Sequence, residues 1–91
     1  FRSVQRAAAI LSKQRKFEEA IATFDVVNFE NQTGYWRNAM LLSRGDALST
    51  AGRNVDALRD YRAVLADPQA DARIRKLAQE RVEASDKNSR M

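Results

Sequence analysis

The sequence contains no cysteine and no histidine. Without cysteine there is no disulfide framework and no thiolate nucleophile, and the redox compartment stays unassigned. Without histidine the usual general base at neutral pH is missing, and the two absences together remove the nitrogen and sulfur ligands typical of zinc sites. The carboxylates form no Asp-x-Asp-x-Asp-Gly calcium loop, and no glycine-rich phosphate loop is present. We therefore expect a protein that is not an enzyme and that binds no metal or cofactor.

Glycine, proline and long apolar runs are also scarce. Three glycines and one proline leave little material for turns, and no stretch alternates in the way a strand does, so the sequence predicts an all-α fold. No apolar run approaches the roughly 20 residues of a membrane span. The chain begins at Phe1 rather than at methionine, so we expect it to be a truncated chain whose upstream residues would decide its compartment.

The composition and the spacing of apolar residues predict one small helical domain. Its composition of 44% hydrophobic and 31% charged residues is typical of a soluble globular chain of 91 residues. Apolar residues three and four positions apart predict five helices, at about 2–14, 17–29, 35–50, 55–66 and 70–84. A polar loop is expected at 28–34, Gly52 is placed to end the third helix, and Pro68 follows the fourth.

A pattern in the second helix returns in the fourth. In RKFEEAIATF, Phe17, Ala20 and Phe24 share one helical face, with the small residue between two rings. In GRNVDALRDY, 37 residues later, Ala57 and Tyr61 repeat that spacing. A methyl group between aromatic rings lets another helix approach closely, and recurrence at a fixed period indicates a repeat architecture.

The first, third and fifth helices also agree with one another. Each has a large apolar residue followed four positions later by a small one, Ala8, Gly45 or Ala78. Together with the even helices, this pattern resembles the tetratricopeptide repeat family of helix-turn-helix units. The positions that carry the resemblance are Val4, Ala7, Ala8, Leu11, Phe17, Ala20, Phe24 and Val27 in the first unit, and Leu41, Arg44, Gly45, Leu48, Gly52, Ala57, Tyr61, Val64 and Pro68 in the second.

The resemblance implies two helical hairpins and a closing helix, which form a fragment of an α-solenoid. Its units would be residues 1–34 and 35–68, followed by a capping helix at 69–86 and a frayed tail at 87–91. The sequence departs from the family pattern at several points. The usual early tryptophan is absent, Arg44 stands where leucine is typical, Asn54 replaces the aromatic that Phe17 provides, and the first unit has no closing proline.

Members of this family bind peptides or partner helices in a groove lined by the first helix of each unit. The resemblance therefore implies a non-enzymatic protein–protein interaction module or scaffold. The expected groove residues are Gln5, Arg6, Ala9, Ser12, Lys13, Leu42, Asp46 and Ser49. A clamp for a partner's terminal carboxylate is not expected, because no asparagine falls at the required position and Asp46 would repel the carboxylate.

Two aromatic residues at the start of the third helix are further candidates. Tyr35 and Trp36 follow the expected loop, and exposed aromatic side chains often anchor interfaces. The alternative, which the sequence favours, is that Trp36 packs with Met40 as part of the core.

Two other functions remain open. The net charge of +4 and the clusters Lys13/Arg15/Lys16 and Arg73/Arg75/Lys76 are compatible with nucleic-acid binding, but acidic residues interleaved through every helix make a solvated surface the better interpretation. The other function that remains open is self-association through the amino-terminal edge (Phe1, Val4, Ala8). We consider it because an array of so few repeats buries little surface within one chain. The opposite end would be closed by the fifth helix, with Arg73, Arg75, Lys76, Glu80, Arg81 and Glu83 on its outer sides.

Ala20→Leu and Ala57→Leu each place a large side chain where we expect two helices to cross. Overpacking of this kind costs about 1–3 kcal/mol, so each variant should unfold at a lower urea concentration than the parent chain. Equilibrium urea unfolding followed by circular dichroism measures the change. Unchanged midpoints for both variants would contradict the assigned packing.

Overall fold

The computed structural model describes residues 2–26 and 34–89, and all regular structure in these ranges is helical. The elements are α1 (Arg2–Lys13), α2 (Phe17–Ala22) with a 3-10 helix directly after it (Thr23–Val26), α3 (Gly34–Thr50), α4 (Asn54–Ala66) and α5 (Ala72–Ser89). The all-α prediction with five α-helices is thus confirmed. None of the described helices has the length and apolar content needed to cross a bilayer.

The observed boundaries differ from the expected ones at two helices. The second helix is α-helical only to Ala22 and then tightens, while the expected loop lies outside the described residues except for Gly34. The fifth helix begins at Ala72 because the Asp71 carboxylate accepts the backbone N–H of Arg73 at 2.9 Å, as an N-cap does. It continues to Ser89, through most of the expected frayed tail, because no glycine or proline interrupts residues 72–89.

The turns after α1 and α3 have the same backbone geometry. Arg15 and Gly52 have positive φ angles of 62° and 86°. The N–H of Lys16 donates to the Leu11 carbonyl at 2.9 Å, and the equivalent bond after Gly52 is 2.8 Å long. This Schellman motif therefore recurs 37 residues along the chain, at the period of the sequence pattern.

Helices α3 and α4 form an antiparallel hairpin. Asn38, near the start of α3, donates to the Asp67 carboxylate just beyond α4 at 2.9 Å, whereas Asp46, further along α3, accepts from Tyr61, which lies earlier in α4. The bond from the fully buried Asn38 holds the pKa of Asp67 below its ordinary value, and the backbone N–H of Gln69 adds to the effect. This polar contact fixes the open end of the hairpin.

Two apolar clusters form the core. One joins α1, α2 and α3, and the other joins α3, α4 and α5. Ala20 and Ala57 are 0% and 2% exposed, so the prediction that both lie at helix crossings is confirmed as far as their burial is concerned. The first cluster contains Ala8, Ala20, Phe24, Met40 and Ala47. The second contains Ala39, Leu41, Leu42, Leu48, Ala57, Tyr61, Val64, Ile74 and Ala78.

A glycine sets how closely α3 and α4 approach. A Cβ atom built on Gly45 would lie 2.6 Å from Cε1 of the Tyr61 ring and 2.9 Å from its Cδ1. These distances are shorter than a carbon–carbon contact allows. The ring of Tyr61 thus occupies the space that any side chain at position 45 would need.

Arg44 of α3 forms an ion pair with Asp60 of α4. Its Nε and Nη2 donate to the two carboxylate oxygens of Asp60, both at 2.7 Å. The Asp60 side chain is buried, and a buried carboxylate requires a charged or hydrogen-bonding partner. The bidentate pair therefore ties α3 to α4 beside the Gly45 contact.

Gly45→Ala should lower the free energy of unfolding by about 1–2 kcal/mol, because overpacking against the Tyr61 ring outweighs the gain of up to about 1 kcal/mol from replacing glycine in a helix. In a Tyr61→Val background the ring is absent, and the same substitution should become stabilising. Urea unfolding of the four chains measures both effects. Destabilisation that persists in the Tyr61→Val background would contradict the contact.

Candidate binding groove

Helices α1, α3 and α5 lie side by side on one surface of the molecule. Gln5 Nε2 donates to Ser43 Oγ at 3.0 Å and connects α1 to α3. Arg81 Nε donates to Asp46 Oδ1 at 2.8 Å and connects α3 to α5. Two cavities lie along these contacts, and we call them together the groove.

The cavity between α1 and α3 has a volume of about 330 Å³. Its lining residues are spaced alike on the two helices, which fits two neighbouring helices in constant register. They are Gln5, Ala8, Ala9 and Ser12 from α1, Ser43, Asp46, Ala47 and Thr50 from α3, and Phe24 at the base.

The cavity between α3 and α5 is larger, with a volume of about 520 Å³. It shares Asp46 and Thr50 with the first cavity, so the two adjoin along α3. Its lining residues are Asp46, Ser49, Thr50, Asn54, Ala57, Tyr61, Glu80, Arg81, Ala84 and Ser85.

Small and uncharged side chains dominate the lining. The hydroxyls of Ser12, Ser49 and Ser85 can donate and accept hydrogen bonds, while Ala9 and Ala84 leave room above the helix backbones. Open space with scattered donors and acceptors suits the backbone amides of a peptide, which need a hydrogen-bonding partner at every residue.

Asp46 is the central charged group of the groove. Its Oδ1 accepts hydrogen bonds from the Tyr61 hydroxyl at 2.6 Å and from Arg81 Nε at 2.8 Å. Burial raises the pKa of Tyr61 above its ordinary value of 10, and the hydrogen bond to Asp46 raises it further. The same carboxylate holds the pKa of Arg81 above its ordinary value. The charge of Asp46 is therefore offset within the chain by Arg81.

The structure brings five of the residues expected in the groove together there. Gln5, Ala9 and Ser12 line the first cavity, Ser49 lines the second, and Asp46 lines both. These residues come together because α1 and α3 are both regular helices along the two cavities.

Three other expected groove residues lie elsewhere. Arg6 and Lys13 are exposed, but they do not line either cavity. Leu42 is 9% exposed and belongs to the core cluster between α3, α4 and α5. Its assignment to the groove was wrong because α3 is covered by helices on several sides, so that neighbouring residues such as Leu41 and Leu42 are both buried.

Tyr35 and Trp36 stand in the first turn of α3, outside the groove linings. Their rings meet edge to face, with centroids 5.6 Å apart. Trp36 is 42% exposed, so its assignment to the core with Met40 was wrong, although Met40 itself is fully buried. The Gln5–Ser43 contact gives the register of α1 against α3 and places the start of α1 beside Met40. The first turn of α3, which carries Tyr35 and Trp36, therefore extends beyond the start of α1.

Sequence reasoning missed the inward position of Arg81. A place on the outer side of the closing helix was expected, but Arg81 reaches Asp46. Arg75 is also half-buried and donates to the Asp67 carbonyl. A usable signal did exist, because aligning α5 with α3 on their small residues places Arg81 at the position of the buried Leu48.

Comparisons with protein-family models, curated proteins and solved structures find no match for this chain. Among the described residues, no group of three or more acidic side chains is arranged to hold a metal ion. Function must therefore be argued from the groove itself.

Tyr61 should ionise only well above its ordinary pKa. Because the folded state favours the neutral phenol, its contribution to stability is complete below the unfolded pKa of about 10 and is lost as the pH rises through the higher folded value. Absorbance at 295 nm and circular dichroism, recorded together on raising the pH, should show one late phenol ionisation accompanied by loss of helix. Tyr61→Phe should abolish this late step and Tyr35→Phe should retain it; a late step that survives in Tyr61→Phe would contradict the assignment.

Proposed function

We propose that the protein is a non-enzymatic interaction module that binds a peptide segment or a helix of a partner protein in the groove. The observation that carries this proposal is the pair of adjoining cavities along α1, α3 and α5. Together they form an elongated site, which suits a chain-like ligand better than a compact small molecule.

The groove chemistry supports a binding role. Its charged side chains are few, and Asp46 and Arg81 already pair with each other. The Tyr61 hydroxyl donates to Asp46, but burial and this hydrogen bond raise its pKa, which is the opposite of the activation that a nucleophile in covalent catalysis requires. Uncharged donors and acceptors, by contrast, bind peptide groups in a geometry-dependent manner.

We further propose that the chain is a short tetratricopeptide-like array of two hairpins and a closing helix, with units at 1–34 and 35–68. Two observations support this proposal. The Schellman turns recur 37 residues apart, and the small residues Ala8 and Gly45 occupy equivalent buried positions at the same period. In addition, α1 contacts α3 and α3 contacts α5, as is expected when successive units stack.

Ser49→Trp provides a direct test of the groove. Ser49 is exposed and lines the larger cavity, so a tryptophan there fills space that a bound peptide needs. Peptides selected from a random displayed library against the whole chain should bind Ser49→Trp at least roughly tenfold more weakly than the parent, a difference of about 1.4 kcal/mol. Isothermal titration calorimetry on synthetic peptides gives the dissociation constants.

Ala22→Trp is the matched control for this experiment. Ala22 is an exposed small residue on α2 that lines neither cavity, so its substitution should leave the affinity almost unchanged. Both variants should melt like the parent chain. Failure to enrich any peptide, or equal weakening by the two tryptophans, would overturn the groove proposal.

A further inference from the structure

The positive charge of the chain is concentrated at its amino-terminal edge. The first 17 residues contain five of the 16 lysines and arginines and none of the 12 acidic residues, so the other 74 residues together carry a net charge of −1. The expectation that acidic residues are interleaved through every helix is therefore wrong for α1, Arg2–Lys13. The net charge of +4 belongs to one helix and the turn after it.

Part of this charge forms a stripe on the outer face of α1. Arg6, Ile10 and Lys13 are spaced by four and three residues, so they share one face of the helix. All three are exposed, and Ile10 is 50% exposed. The opposite face carries Ala8, which is buried against α2 and α3. We call Arg6, Ile10 and Lys13 the basic stripe.

Neither cation of the basic stripe forms an ion pair within the part of the chain that the structure describes. The ion pairs of the described residues join Arg44 to Asp60, Arg53 to Glu18 and Arg81 to Asp46. Lys13 has a local role, because a cation in the last turn of a helix is stabilised by the helix dipole. Arg6 lies in the middle of α1, where the helix dipole has a negligible effect on a cation. The apolar side chain of Ile10 is left half exposed to water.

We propose that the basic stripe docks an acidic amphipathic helix of a partner protein. A helix with an apolar residue flanked by carboxylates, each three or four positions away, would cover Ile10 and place its charges opposite Arg6 and Lys13, as the flanking charges of paired helices do. The inference deepens the proposed function, on which it rests, by giving the partner a charge and a second contact surface outside the groove.

The chemistry of the stripe disfavours three other occupants. A second copy of the chain would bring like charges together. A membrane surface would need the apolar face of α1, but Ala8 and its neighbours are already packed against α3. A nucleic-acid backbone would neutralise the cations but would offer nothing apolar to cover Ile10.

A synthetic helical peptide about three heptads long, with leucine flanked by glutamate, is the probe. It should bind the whole chain in low salt and weaken as salt is added. The double variant Arg6→Glu/Lys13→Glu should weaken binding at least roughly tenfold, whereas Arg6→Lys/Lys13→Arg should bind like the parent chain. Fluorescence anisotropy of the labelled peptide gives the affinities.

Matched controls lie on α4. Arg59→Glu/Arg62→Glu makes the same change in net charge at two other exposed arginines and should leave binding within about twofold of the parent. Ile10→Ala should weaken binding, but Val55→Ala, at a residue 76% exposed, should not. If the two charge-reversal variants weaken peptide binding equally, the proposal is overturned, because the peptide would then be attracted only by the net charge of the chain.

The remaining outcomes separate the basic stripe from its competitors and from the groove. Preferential binding to a DNA duplex or to phosphatidylserine vesicles, or a dimer that dissociates on Arg6→Glu/Lys13→Glu, would overturn the acidic-helix proposal. If Ser49→Trp no longer binds the acidic peptide, the proposal is also overturned, because the groove would then be the binding site of that peptide. If the acidic peptide still binds Ser49→Trp but no longer binds Arg6→Glu/Lys13→Glu, the proposal is supported. The library-selected peptides test the groove independently.

Discussion

The close approach of α3 and α4 is the constraint on which the rest of the fold depends. It exists because Gly45 has no side chain, which lets the Tyr61 ring lie directly against the α3 backbone. The position of the ring in turn directs its hydroxyl to Asp46, on the groove side of α3. A single missing methyl group thus connects the packing of the core to the geometry of the candidate site.

The same approach explains why a buried charge is tolerated nearby. Asp60 lies one residue before Tyr61 and would be costly to bury alone. Because the two helix backbones are close, Arg44 can reach both carboxylate oxygens while part of its side chain remains in contact with solvent. The ion pair and the glycine contact are therefore two consequences of one interhelical distance.

Periodicity in the sequence was sufficient to locate the helices and their small crossing residues. Ala20, Ala57 and Gly45 could be found because burial on a helix repeats every three or four positions. Leu42 and Trp36 could not, since their environments depend on how many neighbouring helices cover each turn. The inward position of Arg81 could have been found by aligning α5 with α3, but its partner could not. Arg44 with Asp60 and Arg81 with Asp46 join residues 16 and 35 positions apart, and such pairing leaves no local pattern to detect.

The groove and the basic stripe differ in how they would select a ligand. In the groove, Asp46 and Arg81 satisfy each other, so discrimination there would come from shape and from the direction of hydrogen bonds. On the basic stripe, Arg6 and Lys13 would act by attraction, which speeds encounter and is sensitive to salt. The groove lies between α1 and its neighbours, whereas the stripe lies on the outer face of α1, and the two could be occupied at the same time.

One residue of α2 affects how the molecule holds together. Ile21 packs against both apolar clusters, although it is only partly buried. Loosening of either cluster would therefore remove contacts from the other through this shared side chain. The described helices should accordingly unfold as one cooperative unit, and α1 and α2 should not unfold first as an independent foldon.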